Sequence, residues 1–538
     1  MKMLLLPKNL RILHGLGGMR SCCQLLRQFL LATLSLTALG PVLHSSDWPQ
    51  LQHDAARTGR STDEVAPPYR ARWLWFGTAG TLRNCLSKPA EPAWKNDLTS
   101  GVGRSYPVPA SVPFTLAGLM QPIVHRGFVC VASQEGKAYA IREDDGLTAW
   151  EAELPAGVLA TGAAAGGLAV FGTVQGEVCA LNLTNGAPAW IVATGKSITG
   201  APCILEDRVF VANHGGSVYA LDLPTGRTLW QSKALGAAVQ ASLAAGSNAV
   251  YVAAENLKVY RLDATDGSIT AVHQVFGQSF RLEWPVIHAG KLWLRTAPVW
   301  CVGSEGVNDE LLSQATSLAD EETKYLLWLD GAAQFGSWSS KNDWKNYFAL
   351  NLSDLAEPFT IPSGPSDGCG QPPDPPVVDQ DGHLISWWPT RFCKLTLRDG
   401  TFGTRYFIDL AAVNPLTGRR QPFDAGPPVN VWPMETDNLY ALSTGGRFCY
   451  WRQRFRGTYA MDLTERRHYA IQVEVRTRDG GTWDAPVMYV DADETHLPRT
   501  PAPATQGRVG ATVANGRLYL AETYGVTAIE HAEPKARP

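Results

Sequence analysis

The chain has 538 residues, a formal net charge of −3 and a pI of about 6.4, so it lacks the basic excess of nucleic-acid-binding proteins. Hydrophobic residues make up 45% of the chain and charged residues 18%, which excludes an intrinsically disordered protein. The 51 glycines, 36 prolines and 18 tryptophans favour an all-β protein with short strands and many turns.

Residues 1–46 are predicted to be a secretory signal peptide. Basic and no acidic residues precede an apolar run, residues 29–40, which is shorter than the roughly 20 residues of a membrane-spanning helix. We expect cleavage between Gly40 and Ser46, a start at Met1 or Met19, and no transmembrane segment in the mature chain. A buried helix or an uncleaved anchor is the alternative. No Cys directly follows the apolar run, so we expect no lipid anchor.

Residues 47–120 form the next predicted part of the chain. The run "ARWLWFG", Ala71–Gly77, has the pattern of a strand that ends on large aromatic side chains. The stretch that follows, up to residue 120, is rich in Pro, Gly and Ser, and it is predicted to be a surface linker.

A repeat of forty residues dominates the part of the chain that follows. Its copies include "QGEVCALNLTNGAPAW" and "GGSVYALDLPTGRTLW", and a fourth copy places Ala271 where the others have a tryptophan. Within a copy, "SVYALDL" alternates its faces as a strand does, and "DLPTG" is a turn. The equivalent positions are Trp150, Trp190 and Trp230; Gly146, Gly186, Gly226 and Gly267; and Asp222 with Asp263.

Each copy reads as four short strands, too small to bury a core alone, so neighbouring copies are predicted to stack as the blades of a β-propeller. A helical repeat of similar period is disfavoured by the frequent Val, Tyr, Thr and Gly. The repeat "VYALDLPTGRTLW" resembles that of PQQ-like (quinoprotein-type) β-propellers, and "DWPQLQHDAARTG", Asp47–Gly59, resembles the segment that starts many exported bacterial propellers. The resemblance implies that the repeat tryptophans pack between blades.

Further blades can be followed to the end of the chain. Blades are predicted to open near residues 284, 375, 427 and 508, which gives eight, with seven as the alternative. The last blade lacks a strand, and Ala71–Gly77 is predicted to supply it and close the ring. The propeller is therefore placed at residues 121–530, with an insertion at 303–373 and a tail at 531–538.

The aromatic residues of the insertion are the candidate binding surface. These are Trp328, Trp338, Trp344 and Tyr347, which could stack on sugars or anchor a protein partner. The alternative is a small core that packs the insertion onto the propeller.

Cofactor and metal signatures are weak. A PQQ-dependent dehydrogenase would need a calcium ion, a catalytic Asp and cations for the quinone, and no residue set matches these by position. The acidic runs at residues 143–146, 379–382 and 491–494 are expected to be hairpin turns, because the twelve-residue calcium-loop pattern is missing. Eight cysteines follow the signal, and those inside strand patterns, Cys130 and Cys179, are expected to be buried thiols.

These observations predict an exported, non-enzymatic β-propeller, a monomer that acts as a binding or assembly scaffold in the bacterial envelope, secreted or periplasmic. The resembled group includes envelope-assembly propellers. The expected partner is a protein or a glycan, with no cofactor. The alternatives are a PQQ-dependent oxidoreductase with calcium and a carbohydrate-binding propeller that uses the insertion.

Overall fold

A computed structural model describes most of the chain after residue 45. The described residues are 46–77, 81–83, 86–87, 114–275, 279–280, 283–296, 347–361, 375–396, 402–418, 420–421, 441–453, 457–476, 482–486, 510–522 and 525–532. They form β-strands and turns without any α-helix, and they lie in one compact unit, Ser46–Pro538. A helix with the length and apolarity for crossing a bilayer is accordingly not found among them.

The first four blades are four-stranded antiparallel sheets made of consecutive hairpins. We number the strands of a blade from the inner edge outward. The strands are Ile123–His125, Phe128–Ala132, Lys137–Arg142 and Thr148–Glu153 in blade 1; Ala163–Ala165, Leu168–Gly172, Glu177–Asn182 and Pro188–Ala193 in blade 2; Cys203–Leu205, Arg208–Ala212, Val218–Asp222 and Thr228–Gln231 in blade 3; and Ala244–Gly246, Ala249–Ala254, Lys258–Asp263 and Ile269–Gln274 in blade 4.

Blade 6 keeps this plan, and the other three blades vary it. Blade 5 has three described strands, blade 7 gains strands at both edges, and blade 8 takes strands from both ends of the chain. The strands are Val286–His288, Lys291–Arg295 and Tyr347–Asn351 in blade 5; Val377–Val378, Leu384–Thr396, Phe402–Val413 and Arg420–Gln421 in blade 6; Arg60–Ser61, Ser443–Gly445, Phe448–Gln453, Gly457–Asp462, Arg467–Arg476, Thr482–Pro486 and Leu86–Ser87 in blade 7; and Thr512–Ala514, Arg517–Glu522, Gly525–His531, Tyr69–Trp75 and Thr81–Arg83 in blade 8.

The turn between the third and fourth strands has the predicted chemistry. In blade 3 the N–H of Gly226 donates to the carbonyl of Asp222 (2.8 Å), and the Asp222 carboxylate accepts the N–H of Thr225 (3.2 Å). Gly226 has φ +71°, in the left-handed region that glycine adopts at no steric cost. Gly267 closes the same turn onto Asp263 in blade 4 (2.9 Å). The repeat therefore specifies this hairpin through Asp and Gly in blades 3 and 4, whereas in blades 1 and 2 the glycines bond the carbonyls of Arg142 and Asn182.

The eight blades form a closed ring, as predicted. The inner strands of neighbouring blades contact one another, and Thr512 Oγ1 of blade 8 donates to the carbonyl of Pro122 at the start of blade 1 (2.5 Å). The strand Tyr69–Trp75 pairs antiparallel with Gly525–His531, so an N-terminal strand completes the C-terminal blade. The predicted closing strand is confirmed, although it starts two residues earlier than expected and ends at Trp75.

The predicted insertion needs one correction. Residues 347–351, placed inside the insertion by sequence, form the third strand of blade 5 and pair with Lys291–Arg295. Tyr347 is fully buried there, with the Arg295 guanidinium 4.0 Å from its ring centre. The forty-residue spacing is interrupted before this strand, so its aromatic residues were grouped with the wrong segment. Tyr347 therefore belongs to the blade core and not to an exposed binding surface.

Four cysteines whose side chains the structure describes are buried free thiols: Cys130 and Cys179, as expected, and also Cys203 and Cys449. Burial raises the pKa of Cys130 and of Cys179 to about 12. These thiols are consequently protonated at neutral pH and behave as small hydrophobic side chains.

Candidate functional site

The repeat tryptophans join neighbouring blades. The indole N–H of Trp150 donates to the carbonyl of Leu183 in blade 2 (2.8 Å), and Trp190 does the same to Leu223 in blade 3 (2.8 Å). Trp230 donates to Ala264 in blade 4 (3.0 Å). Each carbonyl belongs to the residue that follows the third strand of the next blade, so one contact repeats at successive junctions.

The blade that closes the ring uses the same contact. Trp73, in the N-terminal strand of blade 8, donates its indole N–H to the carbonyl of Glu143 in blade 1 (3.0 Å). The repeat glycines explain the close approach of the rings. A Cβ added at Gly146, Gly186, Gly226 or Gly267 would lie 2.4–2.7 Å from an atom of Trp73, Trp150, Trp190 or Trp230, respectively. The tryptophans and glycines singled out by sequence are therefore paired across junctions.

The junction between blades 4 and 5 replaces all three parts of this contact. Ala271 stands in the tryptophan position, and the repeat glycine of blade 5 is Leu355, which has φ +58° and is fully buried. The N–H of Leu355 bonds the carbonyl of Asn351 (2.9 Å), as Gly226 bonds Asp222. The hydroxyl of Tyr251 donates to the carbonyl of Leu352 (3.0 Å), the atom that an indole N–H reaches elsewhere. Leu355 and Tyr251 thus replace the missing indole.

The inner rim of the ring holds residues 46–61, which we call the strap. Along the strap, successive oxygens accept the N–H of the second residue of the inner strand in blades 1 to 7. These bonds run from Val124 to Trp48 O (2.9 Å), Ala164 to Pro49 O (2.7 Å), Ile204 to Gln50 Oε1 (2.9 Å), Ala245 to Ala55 O (2.8 Å), Ile287 to Ala56 O (2.8 Å), Val378 to Thr58 O (2.9 Å) and Thr444 to Gly59 O (2.8 Å). The strap therefore satisfies a backbone donor of seven blades in turn.

Arg57 fixes the middle of the strap. It is fully buried, and its guanidinium donates to the carbonyls of Leu51 (2.9 Å), Pro202 (2.9 Å) and Leu243 (2.8 Å). Burial lowers the pKa of Arg57 below the usual value of an arginine side chain. Because Pro202 and Leu243 precede the inner strands of blades 3 and 4, one side chain ties the strap to two blades.

Amide side chains fix the first part of the strap. Gln50 both donates to the carbonyl of Ile204 (3.1 Å) and accepts its N–H, so it pairs with blade 3 as a backbone unit would. Gln121, at the entry to blade 1, accepts the indole N–H of Trp48 (3.2 Å) and the N–H of Gln52 (2.8 Å). Trp48, Gln52 and Gln121 have no exposed surface. The hydrogen bonds to the blades therefore involve side chains of the strap as well as its backbone.

A polar network surrounds the closing junction between blades 8 and 1. The Glu143 carboxylate accepts hydrogen bonds from Tyr519 (2.9 Å) and Asn515 (3.1 Å) and lies 3.4 Å from the Arg517 guanidinium. Arg517 also reaches Glu530 (3.5 Å). Burial raises the pKa of Glu143 above its usual range, and these hydrogen bonds and the Arg517 charge oppose that rise. Glu143, taken from sequence as part of a turn, is thus a buried member of the closure.

The described inner rim does not fit a quinone cofactor. The strap occupies it, and Arg57, a cation that could face a quinone carboxylate, donates to three carbonyls. The strap carboxylates are engaged as well, since Asp47 lies 2.8 Å from His125 Nδ1 and Asp54 accepts the N–H of Thr58 (3.0 Å). A bound quinone with calcium would have to displace these contacts.

Two of the acidic runs lie in the described residues, and the third, at 491–494, lies outside them. At residues 379–382, Asp379 accepts the N–H groups of Asp381 (3.0 Å) and His383 (2.7 Å), which is the geometry of a turn. Oxygen or nitrogen atoms of Asp379, Asp381 and His383 lie within 4.8 Å of one another. This cluster closes a hairpin, as the sequence predicted.

Of the candidate binding surface, only Tyr347 lies in the described residues, where it is buried. Trp328, Trp338 and Trp344 lie outside them. The strap was missed as a functional element by sequence reasoning, although its residues were noted. The resemblance of "DWPQLQHDAARTG" to the segment that starts many exported propellers is the signal that could have indicated it, because the burial of its polar side chains is not visible in the sequence.

Comparisons with known proteins agree with the repeat. A family model described as outer membrane protein assembly factor BamB matches residues 84–199 and 134–283. The BamB of Moranella endobia (strain PCIT) is 28% identical over 172 residues, which cover 29% of this chain and 43% of that protein. The chain thus matches less than half the length of this curated relative.

Two solved structures are similar at low identity. BamB from Moraxella catarrhalis has a TM-score of 0.43 and 15% identity, covering 79% of this chain and 97% of that one. Quinohemoprotein alcohol dehydrogenase from Comamonas testosteroni has a TM-score of 0.49 and 12% identity, covering 92% and 82%. The eight sheets, the Asp–Gly turns and the tryptophan contacts identify the chain as an eight-bladed β-propeller with PQQ-like repeats, and the family model matches the part of the chain that holds blades 1 to 4.

Proposed function

We propose that this chain is an exported, non-enzymatic propeller that acts as an assembly scaffold for proteins in the bacterial envelope. The observation that carries the proposal is the strap. It fills the inner rim with the chain's own residues, so the ring offers its faces and outer edges for binding. The match of blades 1 to 4 to the BamB family model supports a role in outer membrane protein assembly.

Export is part of the same proposal. The basic start and short apolar run of residues 1–46 support cleavage before the strap, since Trp48 is the first fully buried residue described. Mass analysis of protein recovered from the periplasm should give an N-terminus between residues 41 and 47. An intact Met1 or Met19 end would contradict it.

Complementation tests the function. The full chain is expressed in a Gram-negative strain that lacks its own BamB, and the folded fraction of a porin is measured by its heat-modifiable gel mobility. We expect the chain to raise this fraction, and the same chain without residues 1–46, retained in the cytoplasm, to leave it unchanged. Failure of the exported, protease-resistant protein to raise it would contradict the assembly role.

A further inference from the structure

We propose that the inner rim of this propeller is a peptide-binding site, that its ligand is the strap, and that a strap supplied on a separate peptide can replace the chain's own. The proposal goes beyond the scaffold role and does not depend on it. The ligand is a peptide with the sequence of residues 46–61, which turns at residues 51–56 and is bound in this chain intramolecularly.

Both ends of the strap are bound as peptides are bound by sheet edges, and turns at residues 51–56 connect the two ends. Its oxygens accept backbone N–H groups of seven blades, and Arg60–Ser61 pairs in parallel with Thr444–Gly445 of blade 7. Main-chain bonds of this kind supply affinity, while side-chain pockets supply specificity. The partners lie far away in sequence, for example 154 residues between Gln50 and Ile204 and 390 between Gln52 and Leu442. These hydrogen bonds therefore join residues that are distant in sequence, as contacts between a protein and a separate peptide would.

Side-chain recognition makes the site selective. Trp48 is enclosed and bonded by Gln121, Gln50 pairs with Ile204, and Arg57 donates to carbonyls before two inner strands. A peptide that lacks Arg57 would leave the carbonyls of Pro202 and Leu243 buried without this donor, which is costly. The rim thus selects an aromatic residue followed, nine positions later, by an arginine.

The covalent attachment of the strap is remote from the rim. After the strap the chain forms the fourth strand of blade 8, Tyr69–Trp75, adds the short strands Thr81–Arg83 to blade 8 and Leu86–Ser87 to blade 7, and then leads into blade 1. Residues 46–77 thus meet the blades through non-covalent contacts, and residues 78–113 join them to blade 1. Covalent attachment to the same chain raises the effective concentration of the strap at the rim. A separate peptide can compete only when the chain's own strap is weakened.

The test weakens the strap in the full chain and supplies the intact sequence in trans. Arg57→Ala should lower the melting temperature, and a synthetic peptide of residues 46–61 should raise it again as its concentration increases, because a ligand of the folded state stabilises it by mass action. The same peptide carrying Arg57→Ala should bind at least tenfold more weakly, since it lacks a charged donor to buried carbonyls. The matched control chain is Arg60→Ala, whose guanidinium is bonded to Gln380 at the surface.

The result that would overturn the proposal is an Arg57→Ala chain whose melting temperature does not respond to the intact peptide. A second measurement tests the proposal even if the Arg57→Ala chain does not fold. A protease site is introduced between residues 88 and 112 of the otherwise unchanged chain, which is purified folded and then cut. The two fragments should co-elute, and fluorescent peptide 46–77 should exchange into the larger one. Separation of the fragments, or absence of exchange at any peptide concentration, would overturn the proposal.

Discussion

At the scale of single residues, the repeat glycines serve two purposes that can be separated. Gly226 has φ +71° and lies against the ring of Trp190, whereas Gly236 has φ +80° and no atom within 4 Å of an added Cβ. At both positions an added side chain would strain the positive-φ backbone, but only at Gly226 would it also clash with a neighbouring ring. The repeat glycine is therefore required by the blade junction as well as by the turn.

Gly226→Ala should lower the free energy of unfolding by about 2–5 kcal/mol, because backbone strain and overpacking against Trp190 both contribute. Gly236→Ala should cost only the strain of about 1–2 kcal/mol. Urea unfolding of the two variants measures the difference. Equal losses would show that the indole tolerates the added methyl group.

The junction between blades 4 and 5 predicts a compensated pair. Ala271→Trp should clash with Leu355, and Leu355→Gly should leave a cavity, but the two together should restore the contact seen at other junctions. We expect the free energy of unfolding of the double variant to exceed the value given by adding the two single-variant effects by about 1–3 kcal/mol. A double-mutant cycle measures this coupling. Ala271→Trp combined with Ser247→Gly, at another positive-φ turn, is the control and should be additive.

At the scale of strands and turns, the closing junction predicts a pH dependence. The pKa of Glu143 is raised in the folded state by burial, so the folded protein binds the proton more tightly than the unfolded chain. The stability that this group contributes is complete below the ordinary carboxyl pKa and is lost as pH rises towards the folded pKa.

Glu143→Gln removes this titration. The stability of the variant relative to the parent should therefore rise with pH, from the ordinary carboxyl pKa of about 4.3 upward, and level off above the folded pKa. Urea unfolding at a series of pH values measures it, with the exposed Glu206→Gln as the control. A parent that gains stability over the variant with rising pH would show that Arg517 outweighs burial.

Most elements of the fold could be predicted because the repeat is written into the sequence. The Asp–Gly turn and the tryptophan fix the hairpin and its junction locally, so blades 1 to 4 and the closing strand with Trp73 followed from pattern. Blade 5 departed from prediction because its second and third strands are separated by residues 296–346, which interrupts the period. A local pattern cannot show where a strand pairs after such a gap.

The candidate site could be predicted only in part, for a different reason. The strap binds mainly through backbone oxygens, which every sequence has, and its partners are spread over seven blades. Leu355 substitutes for a ring on a neighbouring blade, so neither Ala271 nor Leu355 alone reveals the exchange. Buried Arg57 and the three glutamines of the rim are visible in the sequence, but their burial depends on the closed ring.

At the scale of the whole molecule, the filled rim predicts the response to cofactors. Adding PQQ and calcium to the purified protein should not raise its melting temperature, because the strap and Arg57 occupy the rim. A ligand of the folded state at a concentration of 100 times its Kd would add about 2.7 kcal/mol of stability, so thermal unfolding is a sensitive readout. An upward shift that depends on the quinone would favour an oxidoreductase instead.

The central claim is that one N-terminal segment, residues 46–77, both lines the rim and closes the ring, and cross-linking tests it most directly. Leu74 pairs with Thr527 and Tyr69 with His531 across the closing strands. Residues directly opposite in an antiparallel pair are about 4.5–5.5 Å apart at Cα, within disulfide reach. Oxidised Leu74→Cys/Thr527→Cys protein should therefore yield a disulfide-linked peptide in mass spectrometry, and the mismatched pair Leu74→Cys/His531→Cys should not. No link in the first variant, or equal links in both, would contradict the closure.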